Sequence, residues 1–549
     1  VLWFSDTVVP LNSQLAIPGY GESYKGFKRK DKCFSLFGNY KLDRIAQWQP
    51  PVVHNLEPWD EEIIGMVKNE LRKTKVEPSN FEFYEKANNE VCITGLINQG
   101  SDSVLAIPTA ITIGREVKMV TEIAAGAFGN NMIGINSQNN STSTYSGVGS
   151  GVEGIRTVII PDGVRKIGNG AFKGMSNLET VTFRNTKETI EFGTDVFAYC
   201  SNLQSITLPG SPTEIPAGMF KDCVSLTNMP SPSSLRKIGA AAFSGCSNMY
   251  FATLPNDITE IGEMAFFGTK GGSLLLLPSA IEKIGDGAFA NVADTIRFIL
   301  NNANKNYMVE DGVLYNKSGT EIVQYPKGST DATFTANVSN SSGNTNTVTS
   351  IRPYAFYGCE NLTSVNISGV EKVGEYAFAN AGNLETITAQ WLKDVSYEAF
   401  SGTKWFENEW NNESNNSQIV LSNCLLLYTD TEKDVMELRD WRSTVYYIAE
   451  QAFASTQLET IYMPLLTEGI SENAFYNATS LKNVYFEWMT DNLVESLSSP
   501  GKKIFGNNSN DLKVFLPQNN ISQFSESEEN ALAGIRKELF TRSFTLELY

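Results

Sequence analysis

The 549-residue chain contains one histidine, His54. That number removes most general-base, metal-ligand and triad chemistry, because imidazole is the side chain that titrates near neutrality. His54 follows Pro50 and Pro51 with no cysteine or carboxylate constellation around it, so it reads as a loop residue and not a catalytic group. Seven cysteines are present and no C-x-x-C pair, which excludes a zinc ribbon or a thioredoxin-type redox site. Cys200, Cys223, Cys246 and Cys359 each stand three residues after a phenylalanine, in a slot that elsewhere holds Met175, Thr269, Val292, Ala381, Thr403 or Ala478. Such a slot wants a small, weakly polar, buried side chain, so these cysteines form a structural ladder and not a metal or redox site. Cys92 and Cys424 lie in apolar, strand-like context, and nothing near Cys33 supports reactivity. The acidic runs Asp60-Glu61-Glu62 and Glu526-Ser527-Glu528-Glu529 lack the D-x-D-x-D-G calcium frame and read as solvated helix starts. Paired glutamates at glycosidase spacing are conceivable on stacked segments, and nothing favours one pair. The chemistry therefore predicts no cofactor, no metal and no enzymatic activity.

The elements that carry these residues repeat. Ile167-Gly168-Asn169-Gly170-Ala171-Phe172 recurs as Ile238-Gly239-Ala240-Ala241-Ala242-Phe243, Ile261-Gly262-Glu263-Met264-Ala265-Phe266 and Ile284-Gly285-Asp286-Gly287-Ala288-Phe289, with looser copies ending at Phe128, Phe197, Phe220, Phe356, Phe378, Phe400, Phe453 and Phe475. From Phe197 to Phe289 the spacing is 23 residues, and from Phe356 to Phe400 it is 22. Each anchor is followed by L-x-x-[IV]-x-[LF], as in Leu178-Glu179-Thr180-Val181-Thr182-Phe183. That alternation turns three apolar side chains inward and leaves the residues flanking the middle one on the outer face of a short strand. A coil this small cannot bury its own Leu, Ile and Phe, but neighbours stacked about 4.8 Å apart cover one another, and twelve of them predict a curved rod of about 60 Å.

These phrases resemble the leucine-rich repeats of BspA-like (treponemal-type) bacterial surface proteins, I-G-x-x-A-F-x-G-C-x-x-L-x-x-I-x-L-P, which residues 197–209 and 356–367 match nearly letter for letter. The resemblance covers residues 86–520. It implies an α/β repeat, β-rich, in the form of a leucine-rich-repeat solenoid of stacked coils about 23 residues long with hairpin inserts and end caps. It also implies an extracellular protein at the bacterial cell surface, of a kind that acts in adhesion, coaggregation or other cell-surface contacts. Inserts are expected at 296–348 and 405–447. The first holds V-E-D-G-V-L-Y-N-K, two alternating strands around an Asn/Ser/Gly turn, and the second holds the strand Leu425-Leu426-Leu427-Tyr428. The Asn/Ser-rich stretches 130–151 and 337–349 read as loops. Residues 1–85 form a non-repeat region with an amphipathic helix over 58–73. Residues 521–549 form a C-terminal cap with a helix over 525–540, started by a Ser525/Glu528 capping box.

Sixty-one acidic against 43 basic residues give a net charge of -18, which argues against nucleic acid as a partner. No window approaches 18 unbroken apolar residues, so no transmembrane segment is expected, and a signal or lipid anchor would lie upstream of Val1. The outward strand positions are mostly polar: Thr180 and Thr182, Ser205 and Thr207, Ser364 and Asn366, Thr386 and Thr388, with Thr253, Thr460 and Asn483. Phe251, Tyr462 and Tyr485 break that rule, and exposed aromatics are enriched in contact patches. Together with Trp488, Trp405 and Trp410 they make the candidate ligand-binding surface. The expected partner is a protein or glycan on a host or neighbouring cell. An outer-membrane nutrient-uptake complex, served by this chain as an accessory surface lipoprotein, is the alternative, and a carbohydrate-active or proteolytic enzyme is a remoter one.

Overall fold

In a computed structural model the described residues are 80–97, 103–129, 134–136, 141–143, 152–185, 187–301, 303–339, 345–396, 398–412, 418–428, 435–437, 445–454, 456–463, 466–486, 493, 504–505, 512–516 and 545–548. The helices expected over 58–73 and 525–540, with His54, Cys33 and both acidic runs, lie outside them. The chain forms two compact units that meet in sequence at Tyr250 and Phe251. Each is a stack of short coils rich in strand, and among the described residues there is one helix, Lys404–Trp410.

The anchor phenylalanines form continuous columns of rings. In the first unit Phe128, Phe172, Phe197, Phe220 and Phe243 stack at centroid distances of 5.4, 5.4, 5.8 and 5.5 Å, all fully buried. Phe81 closes that column edge-on against Phe128. In the second unit Phe266 stacks on Phe289, Phe356 on Phe378 and Phe400, and Phe453 on Phe475. The backbone follows the rings: the N–H of Phe220 donates to the Ala242 carbonyl of the next coil and that of Phe356 to Ala377, at 2.8 and 2.7 Å. Three rungs lack the anchor phrase. Tyr325 stacks on Phe356 at 4.9 Å and gives its hydroxyl proton to Ser329 Oγ, Tyr428 packs on Phe453, and Phe505 stacks on Phe475. Each insert thus replaces one phenylalanine by a tyrosine, and the Tyr325 hydroxyl is satisfied at the edge of the core.

The glycine of the I-G phrase has a steric reason. A Cβ on Gly285 would fall inside the Glu263 backbone, and one on Gly374 inside that of Pro353, so the coils could not approach. Two residues either side of each anchor the chain turns through the left-handed region, as at Asp195 and Tyr199 around Phe197. The coils pair through two parallel ladders. One is the expected strand, for example Thr157–Ile160 with Thr180–Phe183 and Ser364–Asn366 with Thr386–Thr388. The second, not foreseen, is the dipeptide ending in the Ile before the glycine, where Glu191 pairs with Lys166, Glu214 with Lys237 and Glu260 with Lys283. Their side chains form ion pairs at 3.1, 3.4 and 3.4 Å. Being exposed, each adds little stability, but opposite charges on successive coils favour the correct register.

The first insert has one strand more than a hairpin: Tyr307–Glu310, Val313–Asn316 and Glu321–Gln324 run antiparallel, and the third then joins the parallel ladder beside Ser350–Ile351. The second pairs Gln418–Leu421 with Cys424–Tyr428. The two Asn/Ser-rich stretches are not wholly loops, because Asn337–Ser339 pairs with Thr345–Thr347 and Gly134–Asn136 with Ser141–Ser143. Polar β-ribbons need backbone hydrogen bonds and no apolar alternation, which is why periodicity missed them. Phe220→Ala, which empties a fully buried rung, is expected to cost about 3–5 kcal/mol. Gly285→Ala should cost about 1–3 kcal/mol by overpacking. Thr182→Ala on the exposed strand face should stay within about 0.5 kcal/mol, all three read from urea denaturation midpoints.

Candidate functional site

Parallel pairing at about 4.8 Å places identical strand positions within contact of one another. At the outward position of Thr460–Met463, Asn483–Phe486 and Lys513–Leu516 those residues are Tyr462, Tyr485 and Phe515. Their rings stack nearly parallel, Tyr462 on Tyr485 at 4.6 Å and Tyr485 on Phe515 at 4.2 Å, and each is half-buried. Face-to-face packing directs ring edges, with two phenol hydroxyls, away from the sheet. Aromatic edges carry the positive end of the ring quadrupole, so this column offers apolar grip and a line of donors. In backbone register Glu437 pairs with Tyr462 at one end and Glu547 with Phe515 at the other. The neighbouring outward row is Thr460, Asn483 and Lys513, and the Asn483 side-chain amide donates to Thr460 Oγ1 at 3.2 Å.

Tyr462 and Tyr485 are thus brought together, and Phe515 completes them. The other sequence candidates separate. Phe251 is only 5% exposed and packs on Phe266 at 4.7 Å, which corrects its placement on the outer face. Its neighbour Ala252 is too small to fill the core slot, so the larger ring turns inward, where its burial is more favourable by about 2–3 kcal/mol. Trp405 is also buried, in the first turn of the helix and edge-on to Phe400 at 5.6 Å, where it covers the end of a ring column. Trp410, one helix end away, is 56% exposed. Trp488 lies outside the described residues. Sequence reasoning missed Phe515, whose strand follows no anchor phrase, and Trp391, which is 63% exposed beyond its strand. It also missed an aliphatic strip, Leu274 and Leu276 beside Ile299 on paired strands. The signal was present as Leu where other coils carry Thr or Ser at the outward positions.

The slot three residues after the anchor behaves as expected. Cys223 and Cys246 are buried, and their thiols donate to the carbonyls of Phe197 and Phe220 at 3.1 Å. Thr269 and Thr403 fill the same slot and donate to Phe266 and Phe400. Thr403 Oγ1 also accepts from the Phe406 N–H, so the slot residue caps the helix on which the second insert begins. Burial pushes the Cys200 thiol up to about 12 and that of Cys92 to about 11. Among the described residues no group of three or more His, Cys, Asp or Glu could hold a metal ion, and no helix is long and apolar enough to cross a membrane.

A family model for the BspA type leucine rich repeat region, in six copies, matches residues 110–227, 213–333, 330–441 and 436–532. Among solved structures, the chain is similar to a leucine rich cell surface protein from Faecalibacterium prausnitzii, with TM-score 0.49 and 25% identity over 75% of this chain and 94% of that one. The pneumococcal vaccine antigen PcpA gives TM-score 0.40 and 18% identity, over 85% and 96%. A leucine-rich repeat protein from Bacteroides ovatus gives 0.33 and 20%, over 85% and 98%. Comparison with curated proteins gives no match.

Two outcomes follow from these environments. In a native thiol titration at pH 8, at most one of the seven cysteines should react, and all seven after unfolding; two or more native equivalents would contradict the buried ladder. The Glu375 carboxyl is held above the ordinary range by burial and then by repulsion from Glu450, Glu263 and Glu398. A raised folded-state pKa means the folded chain favours the proton, so this glutamate lowers stability at neutral pH and ceases to do so once pH falls below the ordinary value of about 4.3. Glu375→Gln should therefore raise the urea midpoint at pH 7, with the advantage gone near pH 4.

Proposed function

The chain belongs to the BspA-type leucine-rich-repeat family, and from that premise we propose that it is a non-enzymatic binding protein of the bacterial cell surface, engaging a macromolecular ligand in adhesion or recognition. The observation that carries the reading is the column Tyr462, Tyr485 and Phe515, standing on the outer strand face where other coils present Thr, Ser and Asn. Solvent-facing aromatic columns lower solubility and add nothing to a core already filled by Val484 and Phe486 beneath them, so their retention at successive coils fits a contact surface. The aliphatic strip of Leu274, Leu276 and Ile299 supports the same reading from a separate pair of strands.

The mechanism is recognition at several points by a surface that is rigid before the ligand arrives. Parallel pairing fixes the spacing of the rings, so little side-chain freedom is lost on binding, and each coil repeats the contact. An extended polypeptide or glycan chain, whose own units recur at a few ångströms, matches such a row, and the phenol hydroxyls of Tyr462 and Tyr485 would donate to its carbonyl or ring oxygens.

The full chain should bind saturably to immobilised extracellular-matrix proteins, host-cell surfaces or an array of glycans. Tyr462→Ala with Tyr485→Ala should weaken that binding at least about tenfold, as loss of two central aromatic contacts does, with the melting curve otherwise retained. Absence of saturable binding across these surfaces, or unchanged binding by the double variant, would sink the proposal.

A further inference from the structure

The way the rings of Tyr462, Tyr485 and Phe515 pack restricts what can sit on them. Both faces of the Tyr485 ring are taken, one by Tyr462 at 4.6 Å and 12° between planes and the other by Phe515 at 4.2 Å and 6°. The outer faces of Tyr462 and Phe515 look along the sheet, toward the paired strands Val435–Glu437 and Thr545–Leu548. Retreat into the core is closed as well, because the inward neighbours Ile461, Val484 and Val514 are buried and fill it. What the column presents to a ligand is therefore ring edge.

An aromatic ring is negative on its face and positive around its edge. A sugar held by an aromatic residue lays its C–H groups, which are also positive, on a ring face. Against ring edges those groups meet like charge, and the attraction is lost. The π face of another aromatic side chain is negative, so laid across the column it meets positive edges in the favoured edge-to-face geometry. Adjacent rings 4.6 and 4.2 Å apart let one such face cover two edges at once. Polypeptides supply aromatic faces and unmodified glycans do not. Beside the column runs the polar row of Thr460 and Asn483, whose side chains hydrogen-bond to each other, so a peptide backbone there meets polar groups and not an apolar wall.

We propose that the column selects an extended polypeptide segment that lays aromatic side chains face-down across the ring edges, in preference to a glycan; this rests on the column being the contact surface. Every second side chain of an extended segment points the same way, so a stretch alternating aromatic with small polar residues presents a row of faces to the rings.

The test titrates the full chain with fluorescent hexapeptides in which serine alternates with phenylalanine, with cyclohexylalanine or with pentafluorophenylalanine, and applies the same chain to an array of unmodified glycans. Cyclohexylalanine keeps the apolar bulk without the quadrupole, and pentafluorophenylalanine reverses its sign. The phenylalanine peptide should bind saturably and the other two about tenfold more weakly. Tyr485→Leu, which keeps an apolar side chain at the centre of the column, should weaken the phenylalanine peptide about tenfold with an unaltered melting curve. Thr182→Ala, on a strand face of the first unit, should bind as the parent does. Equal binding of the cyclohexylalanine peptide, or parental binding by Tyr485→Leu, overturns the proposal. If no peptide saturates while Tyr462→Ala with Tyr485→Ala abolishes binding to a glycan, the column is a contact surface and its assignment to polypeptide is wrong. If the double variant alters binding to neither peptide nor glycan, the reading of the column as a contact surface falls, and this proposal with it.

Discussion

Everything in this chain depends on one constraint: a coil of about 23 residues has too little interior to bury its own apolar side chains, so it is stable only when the next coil repeats it in register. The ring columns are the most direct expression of that constraint. Phe172 is fully buried because Phe128 and Phe197 lie on its two faces, and none of the three would be buried alone. The close approach this requires explains the glycine of the I-G phrase, the left-handed turns around each anchor and the buried donor slot, where cysteine or threonine gives a second hydrogen bond to an anchor carbonyl that already accepts a backbone N–H.

The same repetition acts on the outside. Whatever residue stands at an outward strand position lies against its equivalents on neighbouring coils, so a single substitution is a spot and a repeated one is a column. Thr, Ser and Asn columns make a soluble sheet. Tyr462, Tyr485 and Phe515 make an aromatic edge, and the cost of holding it in water is local, because the residues between them still fill the core. The inserts act oppositely. Each places a tyrosine, Tyr325 or Tyr428, at a rung, so the column is resumed after an excursion, and the second excursion leaves an acidic, aromatic cleft.

The acid–base inventory fits a protein whose buried groups are structural. The raised thiols of Cys92 and Cys200 follow from burial, which suppresses the thiolate that would attack or bind metal. Glu375 stands instead at the surface, where partial desolvation, and then repulsion from Glu450, Glu263 and Glu398, raise its carboxyl.

The sequence by itself determined the fold class, twelve anchor positions, the inward and outward sides of the strands and the burial of the cysteine slot, because each rests on a short phrase whose period and polarity can be read residue by residue. It also placed Tyr462 and Tyr485 on an outer face. What tertiary structure alone decided were the exceptions. Phe251 lies in a phrase that reads as outward, yet it fills a core vacancy beside Ala252, and Trp405 covers a ring column instead of a surface. Phe515, Tyr325, Tyr428 and Phe505 join their columns without the phrase that marks the others. The physical reason is common to all of them. Local pattern records which way a regular strand turns its side chains, whereas a vacancy, a column end or an interrupted stack is defined by what packs against it from outside that strand.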